Sequence, residues 1–417
     1  MKNKLRFLNI SVFLQTQIFL LPVLFLFYQH YGLSTGDFFL LQGVFSLSAL
    51  LFEIPMGCLA DIFSKRNVLI LSYALYILRL ILWLFLAEYG YWIFFVGEIL
   101  YAAQKASFAG VADSYIYEYL KLNNMSQKMK NRYGKMNFFM SLGTAFSSLV
   151  GAGIYASISQ YTLAKYNYNY AFVVLICLEL ILNLIATALL FKLPKIPSEK
   201  HAKTTLIQSY KNLFQTVAWT MKNQDIKYHI IYSGLLVAVT AVFAWSFQPI
   251  MKLLLFPVSL YGLVYFINHL FRALASLYSD KISKMFSFSK MAVLIFILFT
   301  ICFILTFVIL DISSIPVGIG MLYFIFVSAA IGGQLAFTLR HTCRLHVFVP
   351  SNIRATTSSV STVIGRLYSG FFFILMKICL DGISIQKSLA VCFIIFITAV
   401  FPLKKIYSIS SKEEKNV

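Results

Sequence analysis

The chain has 417 residues, of which 60% are hydrophobic and 12% are charged, and its formal net charge at pH 7 is +20. Soluble domains contain about 45–50% apolar and about 25% charged residues. This composition excludes a soluble enzyme, a disordered chain and a disulfide-stapled scaffold, and it indicates a polytopic α-helical membrane protein.

Twelve apolar segments are long enough to cross a bilayer, since a transmembrane helix needs about 20 apolar residues. The sequence therefore predicts an all-α membrane protein with twelve transmembrane helices. The first segment is too long for a secretory signal peptide and lacks a small-residue cleavage site. The segments lie near residues 7–29, 38–60, 67–87, 91–117, 136–158, 169–191, 229–251, 257–278, 290–310, 315–338, 353–378 and 385–403.

The sixth and seventh segments are separated by a polar stretch, which divides the chain into two bundles of six helices. We expect an N-terminal bundle at 1–192, a linker at 193–228, a C-terminal bundle at 229–404 and a tail at 405–417. Within the linker, apolar residues at helical spacing predict an amphipathic helix on the cytoplasmic surface, although a solvated linker without this helix is the alternative. These residues are Leu206, Tyr210, Leu213, Val217 and Met221.

The basic residues predict the orientation of the chain in the membrane. The termini and the loops on one side carry 27 Lys and Arg residues, whereas the loops on the other side carry four. Because Lys and Arg accumulate in cytoplasmic loops, both termini are expected in the cytoplasm. The net charge is then a topology signal, and it does not indicate a nucleic-acid-binding surface.

The two predicted bundles share a repeated pattern. Asp61-x3-Lys65 follows the second segment, and Asp280-x3-Lys284 follows the eighth, 219 residues later. A second repeated pattern is an arginine followed eleven residues later by a glycine. It occurs at Arg132 with Gly143 and again, 222 residues later, at Arg354 with Gly365. Two pseudo-symmetric halves of this kind are typical of secondary transporters that bind substrate between the halves.

The stretch from Gly57 to Arg66, GCLADIFSKR, resembles the loop motif between the second and third helices of the major facilitator superfamily. With Glu53 and Pro55, it is also similar to the E-x-P-x-G-x-x-A-D stretch of a bacterial, drug-exporter-like branch. Further similarities to that branch are Asp113-Ser-Tyr-Ile-Tyr-Glu118 and Pro350-x3-Arg354-Ala-Thr-x-Ser358. The fifth segment has the glycines of the family's antiporter motif but lacks its Gly-Pro pair.

The resemblance implies a monomeric transporter of the bacterial inner membrane that works by alternating access, with no cofactor, no metal and no enzymatic activity. It also implies that the loop motifs close the cytoplasmic side, with Arg354 as the partner of Asp61. The alternative is that Asp61 and its neighbours only mark topology and a turn. The gating candidates are Gly57, Asp61, Lys65, Arg66, Asp280, Lys284 and Arg354.

Ionisable residues inside the membrane cost at least about 2.5–3.5 kcal/mol on insertion scales, so they are functional candidates. The proton-carrier candidates are Glu53 and Glu98, followed by Asp113. The alternative for each acid is permanent neutralisation by a basic partner such as Arg79 or Lys105. In the arrangement implied by the superfamily, Arg79 and Glu179 lie on supporting helices. The ionisable residues that we expect inside the membrane are Glu53, Arg79, Glu98, Lys105, Asp113, Glu179, Arg272 and Arg366.

Arginine forks suit carboxylate and phosphate groups, so Arg272 and Arg366 are candidates for binding an anionic part of the substrate. His269 lies one turn before Arg272. Alternatively, both arginines pair with Glu53 or Asp113. The full set of substrate-binding candidates is Lys105, Arg272, Arg366, His269, Gln15, Gln334 and Trp245.

The expected function is proton-coupled export of an amphipathic small molecule, such as a drug or a siderophore-like or peptide-like metabolite. The branch resemblance carries this preference. The alternative is proton-linked import of a small anionic nutrient or metabolite. The expected partners are thus the substrate, protons and the lipid bilayer.

Overall fold

The computed structural model describes residues 4–108, 110–122, 129–166, 169–196, 206–312, 315–349 and 354–415. The regular structure of these ranges is helical, which confirms the predicted all-α class. The α-helices are α1 Lys4–Gln15, α2 Leu24–His30, α3 Thr35–Ile62, α4 Lys65–Leu86, α5 Tyr91–Phe108, α6 Val111–Leu122, α7 Met129–Tyr166, α8 Tyr170–Leu190, α9 Leu206–Lys222, α10 Gln224–Leu253, α11 Val258–Met285, α12 Phe288–Asp311, α13 Val317–Phe348, α14 Arg354–Leu380, α15 Ile385–Ile397 and α16 Val400–Lys415.

Several helices begin at serine caps that the sequence supplies. Ser34 accepts a hydrogen bond from the backbone N–H of Asp37 through its side chain, and the Asp37 carboxylate accepts one from the backbone N–H of Ser34. The side chains of Ser287 and Ser384 likewise accept a backbone N–H at the starts of α12 and α15. These caps satisfy N–H groups that have no partner within the helix.

The first predicted span is broken. Helix α1 ends at Gln15, a single 3-10 turn covers Leu21–Val23, and α2 begins at Leu24. Pro22 lacks an N–H, and its ring would meet the carbonyl of Ile18 in a continuous helix. Residues 16–20 therefore form an unwound segment between two short helices.

The fourth and twelfth predicted spans are also divided. Helix α5 ends at Phe108 and α6 begins at Val111, with Gly110 just before it. Helix α15 ends at Ile397 and α16 begins at Val400, two residues ahead of Pro402. Glycine and proline are the usual causes of such interruptions.

Ten helices in the described part of the chain are long and apolar enough to cross a membrane. The divided first and fourth runs are not among them, because neither half is both long and apolar enough. The ten are Thr35–Ala60, Lys65–Tyr89, Phe138–Lys165, Tyr170–Leu190, Ile226–Leu253, Val258–Ser279, Phe288–Asp311, Val317–Leu345, Ser359–Leu380 and Ile385–Ser408.

The chain divides into two compact units. The first unit is Met1–Leu206 with Leu255–Ala273, and the second is Ile207–Leu254 with Leu274–Val417. The first half of α11 joins the first unit because Gly262 lies directly against α7. A Cβ atom at Gly262 would stand 2.5 Å from the carbonyl oxygen of Ser148.

Aromatic side chains fill much of each unit. In the first unit, the ring of Phe27 in α2 lies 5.1–5.5 Å from the rings of Trp83, Phe94 and Phe172. In the second unit, Phe303 of α12 contacts rings of α10 and α15, namely Phe243, Phe393 and Phe396. These contacts hold short α2 against α4, α5 and α8, and α12 against its neighbours.

Candidate functional site

The first unit contains a buried ion pair between neighbouring helices. Arg79 of α4 donates a 2.8 Å hydrogen bond from Nη2 to Oε1 of Glu98 on α5. The exposed fractions of the two side chains are only 4% and 2%. Such a pair needs further hydrogen bonds and close packing, because both charges have been removed from water.

Neighbouring side chains complete the environment of this pair. The hydroxyl of Tyr28 in α2 donates a 2.7 Å hydrogen bond to the same Oε1 of Glu98. The guanidinium carbon of Arg79 lies 3.9 Å from the ring centroid of Trp83 and 4.2 Å from that of Tyr101. The negative faces of aromatic rings attract a cation, so these contacts stabilise the charged arginine.

A second buried carboxylate is hydrogen-bonded to Tyr76, one turn before Arg79 on α4. Glu179 of α8 accepts a 2.7 Å hydrogen bond from the Tyr76 hydroxyl at Oε2. Its Oε1 accepts another 2.7 Å bond from the backbone N–H of Leu20, in the unwound segment of the first span. Glu179 is 1% exposed. We call Tyr28, Tyr76, Arg79, Glu98 and Glu179 the Arg79 cluster.

Helix α7 forms the other support of the unwound segment. The Ser147 hydroxyl accepts a hydrogen bond from the N–H of Ile18, and the Thr144 hydroxyl donates one to the carbonyl of Thr16. Gly151, one turn beyond Ser147, has no Cβ, and a Cβ there would overlap the carbonyl of Phe19. The backbone groups that the break releases thus find partners in α7 and α8, as a membrane interior requires.

The break depends on these partners as well as on proline. Pro55 and Pro249 lie inside α3 and α10 without ending either helix. Pro22 differs because Glu179, Ser147 and Thr144 take up the freed backbone groups around it. Unwound backbone held by other helices is a common feature of transporter binding regions.

Comparison with known proteins identifies the family. The profile described as Major Facilitator Superfamily matches residues 7–403. The chain belongs to the Major Facilitator Superfamily. It is a transporter and not an enzyme. No curated protein sequence matches this facilitator.

Solved structures of other transporters share the fold of this facilitator. A mutant of the nucleoside transporter NupG has a TM-score of 0.78 at 14% identity, covering 97% of this chain and 99% of that chain. A POT family transporter in complex with 5-aminolevulinic acid has a TM-score of 0.69 at 12% identity, covering 99% and 96%. Another POT family structure, with a thioalcohol-conjugated peptide, has a TM-score of 0.71 at 12% identity and the same coverage.

The three proton-carrier candidates of this facilitator have different surroundings. Glu98 is paired with Arg79, one of the two neutralising partners that the sequence suggests. Glu53 and Asp113 are half-buried, on α3 and α6. Within the described ranges, Asp113 forms no hydrogen bond or ion pair.

Three substrate-binding candidates of the first unit have ionisable side chains. Lys105 on α5 is half-buried, and its ammonium lies 5.1 Å from the ring centroid of Tyr101. His269 and Arg272 are half-buried on α11. None of the three forms a hydrogen bond or ion pair with another residue that the structure describes.

The other substrate-binding candidates are split between the units. Gln15 of the first unit is buried at the end of α1, and its amide oxygen has no partner among the described residues. In the second unit, Gln334 donates to the Thr338 hydroxyl on the same helix, at 2.8 Å. Arg366 and Trp245 are half-buried on α14 and α10.

The basic residues of the first loop motif contact other parts of the first unit. Lys65 forms an ion pair with Glu118 at the end of α6, and Arg66 donates a 3.1 Å hydrogen bond to the carbonyl of Leu193. Lys284 is exposed, and a Cβ at Gly57 would meet no described atom within 4 Å. The side chains of the remaining gating candidates lie outside the described residues, and these are Asp61, Asp280 and Arg354.

Sequence reasoning did not identify the Arg79 cluster as a unit. It placed Arg79 and Glu179 on supporting helices and gave no role to Tyr28 or Tyr76. The available signal was Pro22 inside the first apolar run, together with two glutamates and one arginine inside other apolar runs. No spacing rule relates these residues, because they lie on separate helices.

Proposed function

We propose that this facilitator is a secondary transporter with twelve membrane spans in two bundles of six, at 1–192 and 229–404. Three observations support this count. Helices α1 and α2, α5 and α6, and α15 and α16 follow one another closely in the chain, as the two halves of one divided span would. With these halves joined and α9 assigned to the linker, the sixteen helices make twelve spans.

We propose that the chain lies in a bacterial cytoplasmic membrane as a monomer with both termini inside. The strong asymmetry of Lys and Arg between the two sets of loops supports this orientation. Cysteine labelling of intact cells at Lys2 and at Val417, with an impermeant reagent, tests it. Labelling of either position without permeabilisation contradicts the assignment.

We propose proton-coupled export of an amphipathic small molecule that carries a charged group. The observation that carries this proposal is that Lys105, Asp113 and Arg272 are half-buried and form no hydrogen bond or ion pair with described residues. Ionisable side chains at membrane depth are costly, so those that occur there are candidates for a role in transport. A substrate with polar groups of both signs would supply their missing partners.

The similar structures favour a polar, peptide-like substrate within this class. The two POT family transporters are in complex with 5-aminolevulinic acid and with a thioalcohol-conjugated peptide, and NupG is a nucleoside transporter. The alternative is proton-linked import of a small anion, which Arg272 and Arg366 would suit by their bidentate geometry.

Transport by reconstituted liposomes tests the proposal. A panel of dipeptides, nucleosides and cationic dyes is offered with a pH gradient of either direction. We expect at least one compound to move in exchange for protons, against its own gradient. Movement of an anion together with protons favours the alternative, whereas no gradient-dependent movement of any class contradicts proton coupling.

A matched pair of lysine variants tests the substrate site. Lys105→Gln should lower transport at least tenfold. Lys281→Gln should leave it unchanged, because Lys281 is exposed and lies over Tyr278 at 5.3 Å, much as Lys105 lies over Tyr101. Equal transport by the two variants contradicts a substrate role for Lys105.

We also propose that the loop motif around Asp61 keeps the cytoplasmic side closed. Asp61→Asn removes the charge while retaining the shape of the side chain. Normal expression with a wild-type transport rate in this variant means that the motif only marks topology.

A further inference from the structure

We propose that Glu179 is the site at which this transporter binds its coupling proton, and that the bound proton weakens the attachment of the unwound segment of the first span. The inference rests on the proposed proton coupling and names the residue responsible. It replaces Glu98 in that role, and it gives Glu179 more than the supporting position that the sequence suggested.

The charge balance of the Arg79 cluster supports this inference. The cluster contains two carboxylates, Glu98 and Glu179, and one guanidinium. All three side chains are at most 4% exposed. With both acids ionised, the cluster itself carries one negative charge that its guanidinium does not balance, and the next cation, Lys105, lies at the Tyr101 ring without contacting either carboxylate. A buried charge of this kind is energetically unfavourable. One bound proton removes this charge.

The contacts decide which carboxylate takes the proton. Glu98 is in direct contact with the guanidinium of Arg79 at 2.8 Å, so its ionised form has a charged partner. Glu179 has uncharged donors, the Tyr76 hydroxyl and the backbone N–H of Leu20, each at 2.7 Å. Protonation therefore costs less free energy at Glu179 than at Glu98, because only Glu98 would give up a direct ion pair.

Few other titratable groups lie near Glu179 on the helices that pack around it. From α4, Tyr76 contacts it and Arg79 acts on it at longer range. Glu98, Tyr28 and Tyr101 contact Arg79 or its partner. From α7, Tyr155 contacts Phe172, about two turns nearer the start of α8. The described part of α1 meets α8 through Ser11, which donates to the carbonyl of Ala186.

The bound proton reverses one local hydrogen bond and keeps the other. A proton on Oε2 of Glu179 is donated to the Tyr76 hydroxyl oxygen, so the Tyr76 O–H turns away from the carboxyl group, while Oε1 continues to accept from the N–H of Leu20. The bond to Leu20 then changes from charge-assisted to neutral, and charge-assisted bonds are roughly twice as strong. Protonation thus loosens residues 16–20.

The unwound segment connects this change to the substrate candidates. It directly follows Gln15, whose buried amide oxygen has no described partner. A shift of residues 16–20 displaces the end of α1 and therefore this amide. The proton on α8 and a polar group on α1 are linked through one short stretch of backbone.

Infrared difference spectroscopy of the reconstituted protein tests the proton site without any substrate. Spectra are compared between about pH 5.5 and about pH 8, where exposed carboxylates remain ionised. The comparison is made in a Glu53→Gln, Asp113→Asn background, which removes the two half-buried acids of α3 and α6. In this background we expect a carboxylic-acid C=O band at low pH that a further Glu179→Gln substitution removes. A band that persists after that substitution overturns the inference.

Two tyrosine variants provide a check that does not alter Glu179 itself. Tyr76→Phe should change the frequency of the band, because the carboxyl group loses its hydroxyl partner. Tyr101→Phe should leave the frequency unchanged, since Tyr101 contacts Arg79 through its ring. An identical effect of the two variants contradicts the proposed hydrogen bond.

Transport separates this inference from the proposed function. If the wild-type protein shows no pH-gradient-driven transport, the proposed function fails whatever the infrared result. If the wild type is driven by the gradient and Glu179→Gln remains fully driven, only the present inference fails. The expected result is that Glu179→Gln exchanges substrate but no longer accumulates it.

Discussion

Arg79 and Glu98 lie on adjacent helices of the first unit and meet in a 2.8 Å hydrogen bond. Glu98→Gln leaves the guanidinium buried without its counter-ion, and breaking such a pair costs about 3–5 kcal/mol. We expect a large loss of folded protein in the membrane and a lower melting temperature in detergent.

Two further variants serve as controls for this prediction. Glu88→Gln changes an exposed glutamate near the end of α4 and should melt like the wild type. Arg79→Gln combined with Glu98→Gln removes both charges and should recover part of the stability. A Glu98→Gln protein with wild-type melting contradicts a structural role for the pair.

The close contact between Gly151 and the unwound segment predicts a sharp difference between two glycines of α7. Gly151→Ala places a Cβ against the carbonyl of Phe19, and such overpacking costs about 1–3 kcal/mol. Gly153→Ala is the matched control, because a Cβ there meets nothing within 4 Å. Thermal unfolding of the two purified variants measures the difference, and equal midpoints argue against the described contact between α7 and residues 16–20.

The ion pair between Lys65 and Glu118 predicts the outcome of a charge exchange. The two side chains are 14% and 18% exposed, so the pair should contribute more than the about 0.2–1 kcal/mol of an exposed pair. Lys65→Glu and Glu118→Lys should each lower stability and transport. The double variant should restore both properties, and failure of this rescue indicates that Lys65 acts through another partner.

Helix α9 combines exposed apolar and basic residues on one side. Ile207 is 82% and Phe214 is 67% exposed, and they lie seven residues apart with Lys211 between them. Residues at this spacing share a helix face, and such a face binds the surface of an anionic membrane.

A spin label measures this contact in a variant without native cysteines. At position 214, the label should become accessible to oxygen dissolved in lipid when the vesicles contain anionic lipid. At Asn212, which is exposed on the other side of α9, it should remain accessible to water-soluble relaxants. Equal accessibility at the two positions means that α9 does not lie on the membrane.

Much of the fold could be predicted because a bilayer imposes simple requirements. Ten of the predicted apolar runs correspond to helices that are long and apolar enough to cross it. The helix at Leu206–Lys222 also falls where the linker showed helical spacing. Neither result depends on knowing which helices are neighbours.

The division of the first span could not be predicted from the sequence, and the reason is physical. Pro22 resembles Pro55 and Pro249, yet of these three prolines it alone follows an unwound segment. The difference lies in Glu179 and Ser147, which accept hydrogen bonds from Leu20 and Ile18 after the helices have packed.

The sequence by itself determined the class of the protein, the positions of most apolar helices, the repeated loop motif and the set of ionisable residues inside apolar runs. Only the tertiary structure decided that Glu98 pairs with Arg79 and that Glu179 binds the unwound segment. Hydropathy depends on each residue alone, whereas an ion pair depends on two residues from different helices. Helix packing brings these partners together, and the spacing of residues along the chain does not predict which residues will meet.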